Sequence, residues 1–498
     1  MNRNKTIQTI REMNDVSVLI IGGGINGVGT FRDLALQGVN VLLVERGDFA
    51  SGASSASSHM VHGGIRYLEN GEFRLVREAV QERNRLIENA PQYVNPLATT
   101  IPIFKWGSGI FNAPLKFLNL LDRPAERGAL VIKAGLTMYD AYTSGGAVPK
   151  HDFVLREKSL AAYPALNPEI VCTATYYDAA MPSPERILVE VLRDGVAEGD
   201  HAQAVNYVSA VGLKNGAVVL RDELTQELFE IRPKLLINAA GPWIDFVNDT
   251  LDQPSRFIGG TKGSHIVLDN PELRAALCDH EFFFENEDGR IVLIYPLKDK
   301  VMLGTSDIAI TDPSQVRCTE DEIDYFFELV DRIFPSIEVS REQIVHRFSG
   351  VRPLPASDAK TTGQVTRDHH NQIVPADAQR PFATFNLIGG KWTTFRAFGE
   401  QTADKALDYL AAERIASTVN LSIGGGYTFR DANERTAWIA NVVSETAMDE
   451  KFITTWLDRY GTRALEIAQF AADQATPDAP LAHNPKYTRH EIAYLAHT

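Results

Sequence analysis

A chain of 498 residues is too long for one hydrophobic core, and its length points to about two or three domains. Hydrophobic and charged fractions of 44% and 23% are those of a globular protein with a polar surface. A net charge of −15 argues against a nucleic-acid partner, because phosphate backbones are bound by neutralising them with Lys and Arg.

Residues 1–15 are polar and mixed in charge, and they lack the apolar core of a secretory signal. The stretch VLIIGGGINGVGT follows at residues 18–30. The apolar run Val16 to Ile21 reads as a buried parallel strand, and Gly22, Gly24 and Gly27 stand in the G-x-G-x-x-G register after it. Gly22 permits a tight turn, Gly24 lets a pyrophosphate approach the backbone, and Gly27 lets the next helix pack closely. That helix, expected from Ile25 to Gln37, aims its free N–H groups at the phosphates. A second apolar run, Val41 to Val44, ends in Glu45, where the fingerprint wants an acid for a ribose hydroxyl. The register of all five features favours a dinucleotide site over a glycine-rich turn in an ordinary βα unit.

The serines that come next (Ser54, Ser55, Ser57, Ser58) cannot build a core, but they offer hydroxyls and amides to a phosphate or a flavin. His62, Gly63, Gly64, Arg66 and Tyr67 add a polar cluster beside them, which favours a site over a flexible loop. Residues 72–89 are helical in period, with Phe73, Val76, Val80 and Ile87 on one side.

Residues 103–136 are apolar without clean periodicity, and Lys105, Lys116, Arg123, Arg127 and Lys133 outnumber Asp122 and Glu126. Two readings fit equally: a membrane-contacting surface anchored by Trp106, Phe111 and Phe117, or ordinary packing between domains. From about Thr175 the βα pattern returns, with a helix from Ser183 to Glu198 and short strands near residues 203–220. KLLINAAGPW (234–243) is another buried strand ending in small residues, a further wall for a cofactor.

Residues 256–354 alternate strand-like segments with polar turns, the pattern of a largely antiparallel sheet in a separate substrate domain. His265, Thr305, Asp307 and Arg352 fall at its strand ends or beside glycines. A lone histidine is more often structural than catalytic, and only Lys262, Gly263 and Ser264 beside it lift His265 above that rate. FATFNLIGGKWTTFRAFGEQTADKAL (382–407) is again strand, glycine turn and helix, with Gly389, Gly390 and Lys391 at a second anion-binding helix start. The tail from Asp431 is helical in pattern without visible chemistry. The cysteines, Cys172, Cys278 and Cys318, have neither metal nor redox spacing and fit a reducing compartment. No apolar run approaches the ~20 residues that span a bilayer.

SSASSHMVHGGIRYLENGEFRLVREA, NAAGPW, KGSHIV, SGVRPL and GGKWTTFR, taken with the first fingerprint, closely resemble the FAD-dependent, respiratory, quinone-linked glycerol-3-phosphate dehydrogenases. The likeness runs from about Asp15 to Leu407, with a weaker helical match beyond. It implies a Rossmann-type FAD-binding domain (α/β) built from residues 1–105, 175–245 and 346–410. It further implies an α+β substrate-binding domain with an antiparallel sheet (106–174 and 246–345) and a C-terminal helical domain (411–498) that reads as shortened at Thr498.

The reaction implied is oxidation of sn-glycerol 3-phosphate to dihydroxyacetone phosphate, with hydride passing from C2 to FAD N5 and the electrons going on to a quinone. The lack of the long mid-chain insertion of the oxygen-using glycerol phosphate oxidases favours the quinone. Matching positions assign FAD to Gly22, Gly24, Asn26, Gly27 and Glu45, to Ser54, Ser55, Ser58, His62 and Gly63, and to Ala240, Gly241, Gly389, Gly390, Lys391 and Thr393. The substrate falls to Arg66, Tyr67, His265, Thr305, Arg352 and Lys391. Arg66, Arg352 and Lys391 suit a phosphate dianion, and His265, with the pKa range of an imidazole, suits the proton of the C2 hydroxyl. Arg66 is the alternative, as an electrostatic stabiliser of an alkoxide. The helix after Gly390 would stabilise negative charge on the flavin. No metal is called for. The implied location is cytoplasmic, peripheral on the inner face of the cytoplasmic membrane, and the resemblance leaves room for a homodimer. Two other readings stand beside this one: an amine or amino-acid oxidase of the same superfamily, binding a carboxylate with one Arg, and a non-catalytic flavoprotein without substrate cations.

Overall fold

The computed structural model describes residues 3–65, 72–107, 128–143, 148–286, 291–357 and 368–498. Arg66, Tyr67 and residues 108–127 of the apolar, basic stretch expected at 103–136, with its anchors Phe111 and Phe117, lie outside these residues.

Two sheets organise the chain. The first has a parallel core in the order Ala383–Ile388, Leu228–Asn238, Asp15–Ile21, Val41–Val44, Ala202–Val205. Val18 pairs with both Leu235 and Val41 in it. Asp15–Ile21 and Val41–Val44 are near-continuous aliphatic runs because both of their faces are covered, one by helices and the other by helix Arg3–Glu12 together with strands Val208–Lys214 and Ala217–Asp222. Helix Ile25–Leu36 crosses one face and meets helix Phe395–Leu410 backbone to backbone. A Cβ at Gly399 would stand 2.9 Å from the carbonyl carbon of Gly29, so the crossing tolerates no side chain. The antiparallel strand His370–Val374 closes one edge, and a hairpin of Val208–Lys214 and Ala217–Asp222 extends the sheet from the start of Leu228–Asn238.

The second sheet is antiparallel except where Glu281–Glu285 runs parallel to Asn95–Ile103. Its centre is Ile258–Leu268, paired on one side with Lys300–Gly304 and along nearly its whole length with Ile344–Pro355. Helix Glu320–Ile333 covers one face with Ile323, Phe326, Leu329 and Val330. This helix was not expected from the sequence, where residues 256–354 read as strands and turns.

Sheet membership also departs from the expected segment boundaries. Asn95–Ile103 and Ile344–Pro355 pair into the second sheet, although boundaries at residues 105 and 346 put them with the dinucleotide layer. Cys172–Ala180 runs unbroken through the expected boundary at residue 175. Local period identifies a strand, but the partner that decides its sheet lies tens of residues away.

The four helices Ala432–Thr446, Glu450–Tyr460, Ala464–Ala472 and Arg489–His497 pack on their own core around Trp456 and Ile467. Ion pairs of Arg463 with Glu190 and Asp194 tie them to helix Pro184–Val196 behind the first sheet.

Candidate active site

A cavity of about 1100 Å³ runs between the two sheets. Drug-sized ligand sites hold roughly 300–1,000 Å³, so this one has room for a dinucleotide. Its walls are three turns that follow parallel strands. After Asp15–Ile21 the chain turns at Gly22, whose φ of +116° would place a Cβ 2.5 Å from the Ala239 carbonyl oxygen. Gly24 then leads into helix Ile25–Leu36, and the nearest atom to a Cβ built there is Ser54 Oγ at 3.3 Å. After Leu228–Asn238, Ala240 and Gly241 form the second wall. After Ala383–Ile388, Gly389, Gly390, Lys391 and Thr393 form the third, with φ at Gly390 of +100° bringing that turn against the Asn26 side chain.

Of the residues expected to hold FAD, Gly22, Gly24, Asn26, Glu45, Ser54, Ser58, His62, Ala240, Gly241, Gly389, Gly390, Lys391 and Thr393 border this cavity. Gly27 lies beneath the turn, packed against Gly22 and Ala239, in the close-packing role expected of it. Ser55 and Gly63 correct the expectation. The Ser55 hydroxyl donates to the Gly52 carbonyl at 3.2 Å, and the Gly63 amide is turned away from the cavity to Asp178 Oδ1 at 2.8 Å.

Local contacts explain the shape. Glu45 Oε2 accepts from the Gly23 amide at 2.7 Å and Oε1 from the Gly47 amide at 2.8 Å, which fixes this carboxylate at the end of its strand. Ser54 Oγ accepts from the Ile25 amide at 2.9 Å, and the Trp392 indole donates to the Ser54 carbonyl at 2.9 Å, joining the first and third turns. Thr393 Oγ1 donates to the His62 carbonyl at 3.1 Å. Arg46, Trp243, Arg221, Glu223 and Asp368 also border the cavity and were not expected there. The Arg46 guanidinium lies 4.6 Å over the Trp243 ring. The one local signal for Arg46 was its place directly after Glu45.

These walls fit FAD. Although the Gly23 and Ile25 amides are taken by Glu45 and Ser54, the first turn brings the positive end of a helix to a pyrophosphate, and Gly24 leaves its backbone bare on the cavity side. Asn26 Oδ1, buried on the same wall, has no hydrogen-bond partner among the described residues. Helix Phe395–Leu410 begins four residues beyond Lys391, so its N-terminal dipole reaches the cavity through the Lys391–Thr394 turn.

His265 and Arg352 border the same cavity from the second sheet. His265 is 2% exposed, stacks on Phe348 with ring centroids 4.9 Å apart, and shares a hydrogen bond with Ser58 Oγ through Nε2 at 2.9 Å. Burial first, then the nearby Arg352 charge, pushes its pKa down to about 3. The ordinary imidazole range expected from the sequence does not apply, and the ring is neutral at pH 7. Arg352 donates to Thr305 Oγ1 at 2.9 Å, to Asp307 Oδ1 at 3.1 Å, and through both terminal nitrogens to the Ser306 carbonyl at 3.3 Å. Thr305, expected at the substrate, therefore stands behind the wall as an acceptor for Arg352. Among the described residues no His/Cys/Asp/Glu cluster has the makings of a metal site, and no helix is long and apolar enough to cross a membrane.

The FAD dependent oxidoreductase family (DAO) matches residues 17–405. A glycerol-3-phosphate dehydrogenase of Synechocystis sp. is 36% identical over 78% of this chain and 69% of its own length. A D-erythritol 1-phosphate dehydrogenase of Brucella abortus is 32% identical over 78% of this chain and 73% of its own. The crystal structure of glycerol-3-phosphate dehydrogenase from Bacillus halodurans, complexed with FAD, superposes with a TM-score of 0.70 at 24% identity, covering 95% of this chain and 80% of that one. The chain thus belongs to the FAD-dependent oxidoreductases, with FAD as its cofactor, and among them to the glycerol-3-phosphate dehydrogenase family.

Proposed function

We propose that this protein oxidises sn-glycerol 3-phosphate to dihydroxyacetone phosphate and passes the electrons to a quinone. One observation carries the reading: a guanidinium, Arg352, and a buried neutral imidazole, His265, border one cavity together with the glycine turns and Lys391. A phosphate dianion needs cations, and the alcohol carbon beside it needs a group that takes the hydroxyl proton. When bound, FAD supplies the hydride acceptor at N5. Arg352 and Lys391 bind and orient the phosphate, with Arg66 and Tyr67 as further donors. His265 accepts the C2 hydroxyl proton at a ring nitrogen. Burial chiefly holds the ring unprotonated and the Arg352 charge adds to it; a bound dianion opposes that second contribution and so raises the ring's proton affinity as substrate arrives.

A lipid-dissolved acceptor calls for a membrane surface. Trp106 (49% exposed), Leu130 (57%) and Leu155 (58%) are apolar and outward-facing, and Lys133 lies 5.4 Å over the Phe153 ring beside them. Such a surface supports peripheral, salt-sensitive contact with anionic lipid. Liposome flotation at low salt tests it: the parent floats and a Trp106→Ala/Leu130→Ala variant does not, whereas equal behaviour of the two makes this surface ordinary packing. Turnover with a short-chain quinone set against turnover with oxygen alone tests the acceptor. Faster turnover with oxygen alone would reassign the enzyme as an oxidase.

The Brucella abortus relative favours a second reading, a longer polyol phosphate as substrate. The ratio of kcat/KM for glycerol 3-phosphate and D-erythritol 1-phosphate separates the two readings.

A further inference from the structure

Strand Ile258–Leu268 has two working faces. Gly263 and His265 border the cavity, while Lys262 and Ser264 turn to the opposite side, under helix Glu320–Ile333. There Lys262 Nζ, in a residue 6% exposed, donates to Glu322 Oε2 at 2.7 Å and to the Arg317 carbonyl at 2.8 Å. Taking an ion pair out of water costs more than its attraction commonly returns, so a pair kept here points to a role in specifying geometry.

The geometry in question leads to the site. Glu322 Oε1 accepts from the Ser306 hydroxyl at 2.5 Å, and that same oxygen of Ser306 accepts from the Ser264 amide at 2.9 Å. Ser306 is 1% exposed and Ser264 fully buried. The carbonyl of Ser306 is the acceptor shared by both terminal nitrogens of Arg352. Ser264 Oγ and Ser349 Oγ, 2.7 Å apart, tie the same strand to the one that carries Arg352. Ser306 thus has its hydroxyl held on two sides and its carbonyl on the guanidinium. None of Lys262, Glu322 and Ser306 borders the cavity.

We infer that Ser306, braced by the buried Lys262–Glu322 pair, is a positioning residue for the substrate's phosphate, fixing the Arg352 guanidinium through its carbonyl. The inference rests on reading Arg352 as a phosphate ligand. Buried networks with every member satisfied hold one arrangement, and loosening one member by an ångström at a binding group carries a large penalty.

The test uses the FAD-loaded enzyme with inorganic phosphate as the calorimetric probe, alongside KM and kcat for glycerol 3-phosphate. Ser306→Ala removes the braced hydroxyl. Lys262→Met/Glu322→Leu removes the brace with apolar groups, an exchange often neutral for a buried pair, and with it the capping contact of Glu322 to the Thr319 amide. Lys262→Met/Glu322→Gln removes the charges but keeps a side-chain oxygen for the Ser306 hydroxyl. Flavin content should stay at the parental level in all three. Ser306→Ala and the Leu variant should raise the phosphate Kd and the KM about tenfold or more, with kcat falling less, while the Gln variant returns both near the parent. If Ser306→Ala does not fold, the Leu and Gln variants carry the comparison. Parental phosphate affinity in Ser306→Ala or the Leu variant, with affinity lost in Arg352→Ala, overturns the inference alone. Parental affinity in Arg352→Ala overturns the phosphate reading and the inference with it.

Discussion

Ser58 Oγ and His265 Nε2 stand 2.9 Å apart at the wall of the cavity, so one ring nitrogen is already engaged by a hydroxyl. The other, Nδ1, is buried without a hydrogen-bond partner among the described residues. A neutral ring with one unsatisfied nitrogen is costly to bury, and such a cost is characteristic of functional sites. His265→Ala should slow flavin reduction by about 10²–10⁴-fold in rapid mixing with substrate, with a smaller effect on substrate binding. A structural histidine would show the reverse, with lowered stability and near-parental reduction in the protein that survives.

The same burial has a consequence for stability. The unfolded imidazole titrates near its ordinary value of 6.5, while the folded one is held down to about 3. Below pH 6.5 the unfolded chain therefore binds a proton that the folded chain refuses, and stability falls as pH falls until the folded ring itself protonates. Between about pH 7.5 and about pH 5.5 this histidine alone should remove ~1.4 kcal/mol. Denaturant unfolding of the parent and His265→Asn at the two pH values checks it: the parent should lose more than the variant by about that amount. Equal losses would mean that the ring is not held neutral.

Gly24 is constrained from the ligand side. Its φ of −76° is open to any residue, so the backbone does not demand glycine. The restriction is the space ahead of it, where Ser54 Oγ lies 3.3 Å from a built Cβ and the cavity begins. Gly24→Val should fold, because neighbouring Gly22 keeps its turn, and should lose FAD on purification. The absorbance ratio of flavin to protein reads this directly, and full flavin content in the variant would contradict the placement of the pyrophosphate.

Arg352 is held by Thr305, Ser306 and Asp307, so its fork is oriented before a ligand arrives. Arg352→Ala should raise KM for glycerol 3-phosphate by about 10- to 100-fold, the loss of a charge-assisted pair worth ~1.5–3 kcal/mol. Arg352→Lys should recover only part of this, since an ammonium on a flexible stem keeps the charge but cannot reproduce the planar, bidentate fork. Steady-state kinetics on the three proteins decide it, and an unchanged KM in Arg352→Ala would move the phosphate elsewhere.

The dinucleotide half of the site was legible because its signals are local. A strand, glycines in register, a helix and Glu45 lie within about thirty residues, and the backbone follows that pattern closely. The walls from Ala240 and Gly389 were legible for the same reason. Helix Glu320–Ile333 was missed although Thr319 and Glu322 form a capping box, with the Thr319 amide donating to Glu322 at 2.8 Å. Long-range pairing was not legible. Nothing around Gly63 announces that its amide belongs to Asp178, and nothing around Lys262 announces Glu322, because each partner arrives on a distant strand or helix. Nor could the sequence show that His265 is 2% exposed, and so it gave the ring its solution pKa.

The most direct test of the central claim is anaerobic titration of the purified yellow protein with glycerol 3-phosphate, following the visible absorbance of the oxidised flavin, which a hydride transfer removes. The account predicts bleaching by glycerol 3-phosphate, none by glycine or other amino acids, and none by glycerol, which lacks the phosphate that Arg352 and Lys391 bind. Bleaching by an amino acid, with glycerol 3-phosphate inert, would contradict it.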